Sequence, residues 1–177
     1  VGLYGTKKLG SVALEYDAYY QTGKNPTGKD FGAYMLGINA TFFKAKPHNL
    51  TLGFEMLSGD DAGTTDKDDT FNPLYGTHHK FYGFMDYFYV GNGHKNVGLI
   101  NPYIKGKFKT GEKSSVLAFV HEFLSQSALV TESQQELSKT LGTEIDLVYI
   151  LNISPGVVLN LGYSQMFYTE SMEFVKG

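Results

Sequence analysis

The chain has 177 residues, and its 15 Lys+Arg against 18 Asp+Glu give a formal net charge of −3, without the basic footprint that nucleic-acid partners demand. It has no cysteine, which excludes a disulfide framework and thiolate chemistry. Its 13 Tyr, 13 Phe and 21 Gly favour strands and turns, and no stretch approaches the roughly 20 apolar residues of a membrane-spanning helix.

Taken in order, the chain alternates with period two, the pattern of strands with two unlike faces. Residues 1–7 read as a first strand. In residues 11–21, Val12, Leu14, Tyr16, Ala18 and Tyr20 oppose Ala13, Glu15, Asp17, Tyr19 and Gln21. In residues 31–44, Tyr34, Leu36, Ile38, Ala40 and Phe42 oppose Gly37, Asn39 and Thr41. In residues 49–58, Leu50, Leu52, Phe54 and Met56 oppose Thr51, Gly53, Glu55 and Leu57. In residues 97–109, Ile100, Ile104 and Phe108 oppose Tyr103, Lys105, Lys107 and Lys109. Residues 115–124 are apolar on both faces, and alternation alone does not orient them. In residues 141–152, Leu141, Thr143, Ile145, Leu147, Tyr149 and Leu151 oppose Gly142, Glu144 and Asp146. In residues 157–167, Val157, Leu159, Leu161 and Tyr163 oppose Asn160, Gly162 and Ser164. These are eight candidate strands.

The connections read as alternately short (8–10, 45–48, 110–113, 153–156) and longer (22–30, 59–96, 125–139). Such asymmetry marks outer-membrane barrels, whose periplasmic turns are short and whose extracellular loops are long. Most of the strands run to about ten residues or more, as a tilted membrane span requires. Tyr16, Tyr19, Tyr20, Phe42, Phe43, Tyr149, Tyr163 and Phe167 are read as falling toward strand ends, where interfacial girdles lie. The expected fold is an all-β, antiparallel up-and-down transmembrane β-barrel forming a single domain over residues 1–177, with a long extracellular loop at 59–96. A soluble sandwich or lipocalin-like barrel is the competing architecture.

On that reading the polar faces line a pore. Its candidate residues are Glu15, Asp17, Asn39, Glu55, Lys105, Lys107, Lys109, Glu144, Asp146 and Asn160, since rings of charge set selectivity in pores. Pairing of opposite charges across neighbouring strands explains the same residues without transport. The long loop opens with Asp60, Asp61, Asp66, Asp68 and Asp69, oxygen donors of the type calcium takes, but without the spacing of an EF-hand. A solvated acidic loop accounts for them, and no metal is expected. The aromatic second half of the loop is too apolar to be left in water. It is expected to fold over or into the mouth and narrow it, with Phe71, Tyr75, His78, His79 and Asp86 at the constriction. His78 and His79 are adjacent and diverge on an extended segment, so they do not suggest a shared metal. There is no Gly-x-Ser-x-Gly elbow and no His-Glu-x-x-His, so no catalytic role and no cofactor is expected.

Three segments carry a resemblance to a known family. They are Ser58-Gly59-Asp60-Asp61, the run from Thr70 through Phe71-Asn72-Pro73-Leu74-Tyr75-Gly76 to Phe88, and Gly162-Tyr163-Ser164-Gln165-Met166-Phe167. With them the chain resembles the alginate-export family of outer-membrane β-barrels, over its whole length and in the C-terminal part of such proteins. The resemblance implies a monomeric outer-membrane channel of many more than eight strands that passes an anionic polysaccharide through a cationic lumen. Lys105, Lys107 and Lys109 match that lumen. The expected function is passive, porin-like passage of a polar or anionic solute, with the outer-membrane bilayer and the solute as partners. An outer-membrane enzyme or adhesin acting through its loops is the alternative. Parity leaves the last strand at the extracellular rim, with Ser171 to Gly177 where a returning strand is needed, so preceding strands and a closing strand are expected in the full-length protein.

Overall fold

A computed structural model describes residues 1–44, 46–61, 63–74, 81–88 and 93–177. Eight long strands dominate it, all antiparallel to their neighbours: β1 (Gly2–Leu9), β2 (Val12–Lys24), β3 (Asp30–Phe42), β4 (Asn49–Leu57), β6 (Leu99–Lys109), β7 (Ser114–Leu124), β10 (Thr140–Ser154) and β11 (Val157–Tyr168). They pair strictly with their predecessors, in the order β1-β2-β3-β4-β6-β7-β10-β11. Three short strands lie in the connections. β5 (Lys67–Asp68) runs parallel to β3, and β8 (Leu129–Val130) pairs with β9 (Glu136–Leu137). The eight strands expected from alternation are all present. Among the described residues no ladder joins β1 to β11, so the sheet is open and both edge strands carry unpaired backbone groups.

The register fixes which side chains share a face. One row runs Leu9, Val12, Phe42, Leu50, Gly106, Ala118, Leu147, Tyr163. At β1 and β2 this row abuts the turn, whereas in β11 Tyr163 lies six residues beyond Val157, where the strand begins. The short turns therefore step along the strand direction across the sheet. Tilted strands closing at a common rim need such a stagger.

Several details depart from the sequence reading. β2 and β3 extend to Lys24 and Asp30, so their connection shrinks to residues 25–29 and is no longer than the 43–48 turn. The short–long alternation thus rests on the two long loops. Tyr16, Tyr149 and Tyr163 lie inside their strands rather than at the ends. Leu141 leaves the face of Ile145 and Leu147. A bulge beside it, at Gly142 with φ +153, turns it into a buried cluster. The residues after Tyr168, to which the sequence reading gave no element, form a short helix, α1 (Glu170–Lys176). Thr169 caps it, accepting from the Met172 amide and donating to Thr140 O at 2.7 Å.

The two faces of the sheet differ sharply. On one, Leu36, Ile38, Leu52, Phe54, Leu147, Leu159 and Leu161 are all more than a third exposed. The other carries the polar strand residues and is partly covered by the 58–98 connection. At the long-loop end this covering makes the core. Strand residues Ala33, Leu57, Leu99, Phe123 and Met166, with Leu141, pack against Phe71, Tyr82 and Phe88 from the loop and Met172 and Val175 from α1. Lys176 Nζ bonds Gly93 O at 2.5 Å and Lys95 Nζ bonds Phe174 O at 3.0 Å, tying the helix to the loop.

Candidate functional site

All ten candidate pore residues fall on the loop-covered face. Glu15, Asn39, Gly53, Tyr103, His121 and Glu144 form one cross-strand row. Asp17, Gly37, Glu55 and Asn101 form the row nearer the long loops. Thr41, Thr51, Lys105, Phe119 and Asp146 form the row on the other side. Lys107, Lys109 and Asn160 share the face but lie nearer the short turns, exposed and apart from the loop.

The segment Phe81–Phe88 lies across this face as a strap. The Tyr82 hydroxyl donates to the buried carboxylate of Glu55. Burial and the Glu55 charge push the Tyr82 phenol well above its ordinary range, so it remains a donor. The Met85 amide donates to Glu144 Oε1 at 2.9 Å. Gly83 allows that approach. Its φ of +80 suits glycine, and a Cβ there would lie 2.2 Å from Glu144 Oε1. Phe84 meets Phe119 edge-on at 5.1 Å, and Phe88 packs on Phe123 at 5.0 Å. These contacts orient β7, which sequence left open. Its inner residues are apolar because they receive the strap, and its outer residues Val116, Ala118 and Val120 belong to the exposed face.

Beneath the strap lies a polar cluster. His121 Nδ1 and Asn101 Oδ1 are 3.1 Å apart, and both residues are buried. Tyr103 reaches across the empty position of Gly53 to bond Asn39, where a Cβ would meet its ring at 2.0 Å. Lys105 Nζ sits 4.4 Å from the Tyr103 ring centre, a cation–π contact. Glu144 and Asp146 are fully buried, and Glu144 Oε2 and both Asp146 oxygens lack a hydrogen-bond partner. A groove of about 740 Å³ continues toward the short turns, lined by Thr6, Lys8, Glu15, Asn39, Thr41, Thr51, Phe81, Tyr103 and Lys105 among others.

The structure thus brings Glu15, Asp17, Asn39, Glu55 and Lys105 together around Tyr103, with Glu144 and Asp146 two strands away on β10. Phe71 is buried in the core, and Asp86 lies in the strap with φ 56. Tyr75, His78 and His79 lie outside the described residues. Sequence reasoning missed Tyr82, Gly83, Asn101 and His121. Asn101 was legible, two residues before Tyr103 on the lysine-bearing face, whereas His121 was hidden between Phe119 and Phe123. In the acidic loop Asp60 accepts from Thr64 at 2.5 Å and Asp68 from Asn25 at 3.1 Å. Among the described residues no group of three or more His, Cys, Asp or Glu could hold a metal ion.

No protein-family model matches the chain, and no curated protein matches it.

Proposed function

We propose that the chain forms part of the wall of an outer-membrane β-barrel, and that its strap-covered face lines a passive channel for a polar or anionic solute. One observation carries the reading: the apolar face of the sheet is open and the polar face is covered. A sheet folding in water buries its apolar face. This one leaves Leu36 43%, Ile38 49%, Leu52 44% and Leu161 57% exposed, while Glu144, Asp146 and Asn101 are fully buried. Hydrocarbon outside the sheet removes that contradiction. Strand lengths of 11–15 residues in β2, β3, β6, β7, β10 and β11 and the stagger of the short turns agree with tilted spans. The strap narrows the path, and the groove with Lys105 and Glu15 carries the solute.

Conductance in planar bilayers tests this, with a panel of neutral, anionic and cationic sugars as blockers. The reading expects stepwise currents that the preferred sugar interrupts. Stable insertion without any ion current would refute the channel while leaving the membrane wall.

A further inference from the structure

Lysines without matching acids gather at the short turns. Lys7 and Lys8 end β1, Lys44 and Lys46 lie in the β3–β4 turn, Lys107 and Lys109 end β6, and Lys113 lies in the next turn. All seven are exposed, and among the described residues the one salt bridge is Lys24–Asp30, at the other rim. Glu112 is the single acid in the short turns. The 58–98 connection at the long-loop rim is acidic on balance, with six aspartates against three lysines.

The stagger of the register brings the lysine-bearing turns to one level; Lys8, Lys107 and Lys109 stand on the polar face, and Lys7, Lys8, Lys44 and Lys46 ring the mouth of the groove. Lys7 stands on the exposed apolar face, opposite Leu14 and two residues from Leu9, 49% exposed. Phe43, 56% exposed, stands beside Lys44 in the turn. An apolar band bordered by unpaired ammonium groups on long stems presents its stems to the acyl boundary and its charges to the headgroups. Clusters of four to eight lysines bordering a membrane segment are attracted by anionic lipid.

We propose that the short-turn rim is a docking surface for anionic lipid headgroups and that it fixes the orientation of the sheet in the membrane. This rests on the membrane reading above. The headgroup phosphates would sit between the turns, and the acidic long-loop rim would be repelled from the same surface.

Vesicles of phosphatidylcholine, with or without about 30% phosphatidylglycerol, separate the two ideas. Insertion is read by protease protection. The proposal expects tighter association with the anionic vesicles and a loss of that preference at high salt. Replacing Lys7, Lys44, Lys46 and Lys113 by Gln should weaken the anionic preference by at least tenfold, since each lysine near such a surface contributes on the order of fivefold. Insertion into both vesicles with equal affinity would overturn the proposal and leave the membrane reading standing. Insertion into neither would overturn both. If the fourfold variant does not fold, the salt dependence of the unaltered chain decides. Free inorganic phosphate that abolishes the preference, where chloride at equal ionic strength does not, would assign the lysines to a soluble anion and overturn the docking surface.

Discussion

Leu36 is the position at which lipid and water give the most different answers. It is the middle residue of β3, six residues from Asp30 and six from Phe42. Thirteen residues at about 3.4 Å per residue make a strand of about 44 Å, which spans about 34 Å of membrane normal at a tilt near 40°. Leu36 then lies close to the bilayer midplane. Its neighbours in the row are Ala18 and Met56, and its side chain is 43% exposed. In water, Leu36→Arg would place a charge at an already open site and change stability by about 0.5 kcal/mol or less. Facing hydrocarbon, it costs about 2–4 kcal/mol. Leu9→Arg is the internal control, with 49% exposure at the rim, where the same charge costs about 0–1 kcal/mol. Urea unfolding of vesicle-inserted protein, followed by far-ultraviolet circular dichroism, measures both. Equal costs at Leu36 and Leu9, or a Leu36→Arg protein as stable as its parent, would refute the reasoning.

Other expectations follow from the covered face. Tyr82→Phe removes the hydroxyl that serves buried Glu55, costing about 1–3 kcal/mol, and should loosen the strap and raise single-channel conductance. Gly83→Ala combines strain at φ +80 with a clash on Glu144, so protease cleavage within residues 81–88 should accelerate several-fold. Lys105→Glu with Lys107→Glu should shift the reversal potential toward cation selectivity, and an unchanged potential in the folded variant would remove these lysines from the current path. His94 gives a pH dependence. Burial, and then the Lys176 charge, push its imidazole down to about 4 from the ordinary 6.5, and its Nδ1 accepts from the Gly98 amide at 2.9 Å. The folded loop therefore favours neutral His94. Its stabilisation is full above pH 6.5 and is lost as pH falls toward 4, by at most about 3 kcal/mol. Protease sensitivity of the loop should rise over that window, and His94→Gln should flatten the rise.

Alternation made most of the strands legible because each has one continuous apolar face, whereas their register, which alternation does not fix, is visible only in the ladders. It failed at β7, where Phe119 and Phe123 are apolar for the strap and Val116 and Val120 for the outside, two causes that period-two counting does not separate. It failed at Leu141, because Gly142 reads like any other strand glycine until its bulge is seen. The helix of the tail was not anticipated, although Thr169 three residues before Met172 was a legible cap signal. The loop's aromatic content announced that it packs, but not that Tyr82 and Met85 would pair with Glu55 and Glu144. Those contacts join residues 27 and 59 positions apart, and local sequence does not encode them.

The central claim is that the open apolar face lies in lipid. The chain has no cysteine of its own, so single cysteines can be placed from Ala33 to Ala40 along β3 and spin-labelled in vesicle-inserted protein. Accessibility to dissolved oxygen, which concentrates in hydrocarbon, and to a water-soluble nickel chelate is then read at each site. The account predicts strict alternation, with Tyr34, Leu36, Ile38 and Ala40 open to oxygen and closed to nickel, and Ala33, Met35, Gly37 and Asn39 less open to oxygen. Nickel access at Leu36 and Ile38, or profiles without a period of two, would contradict it.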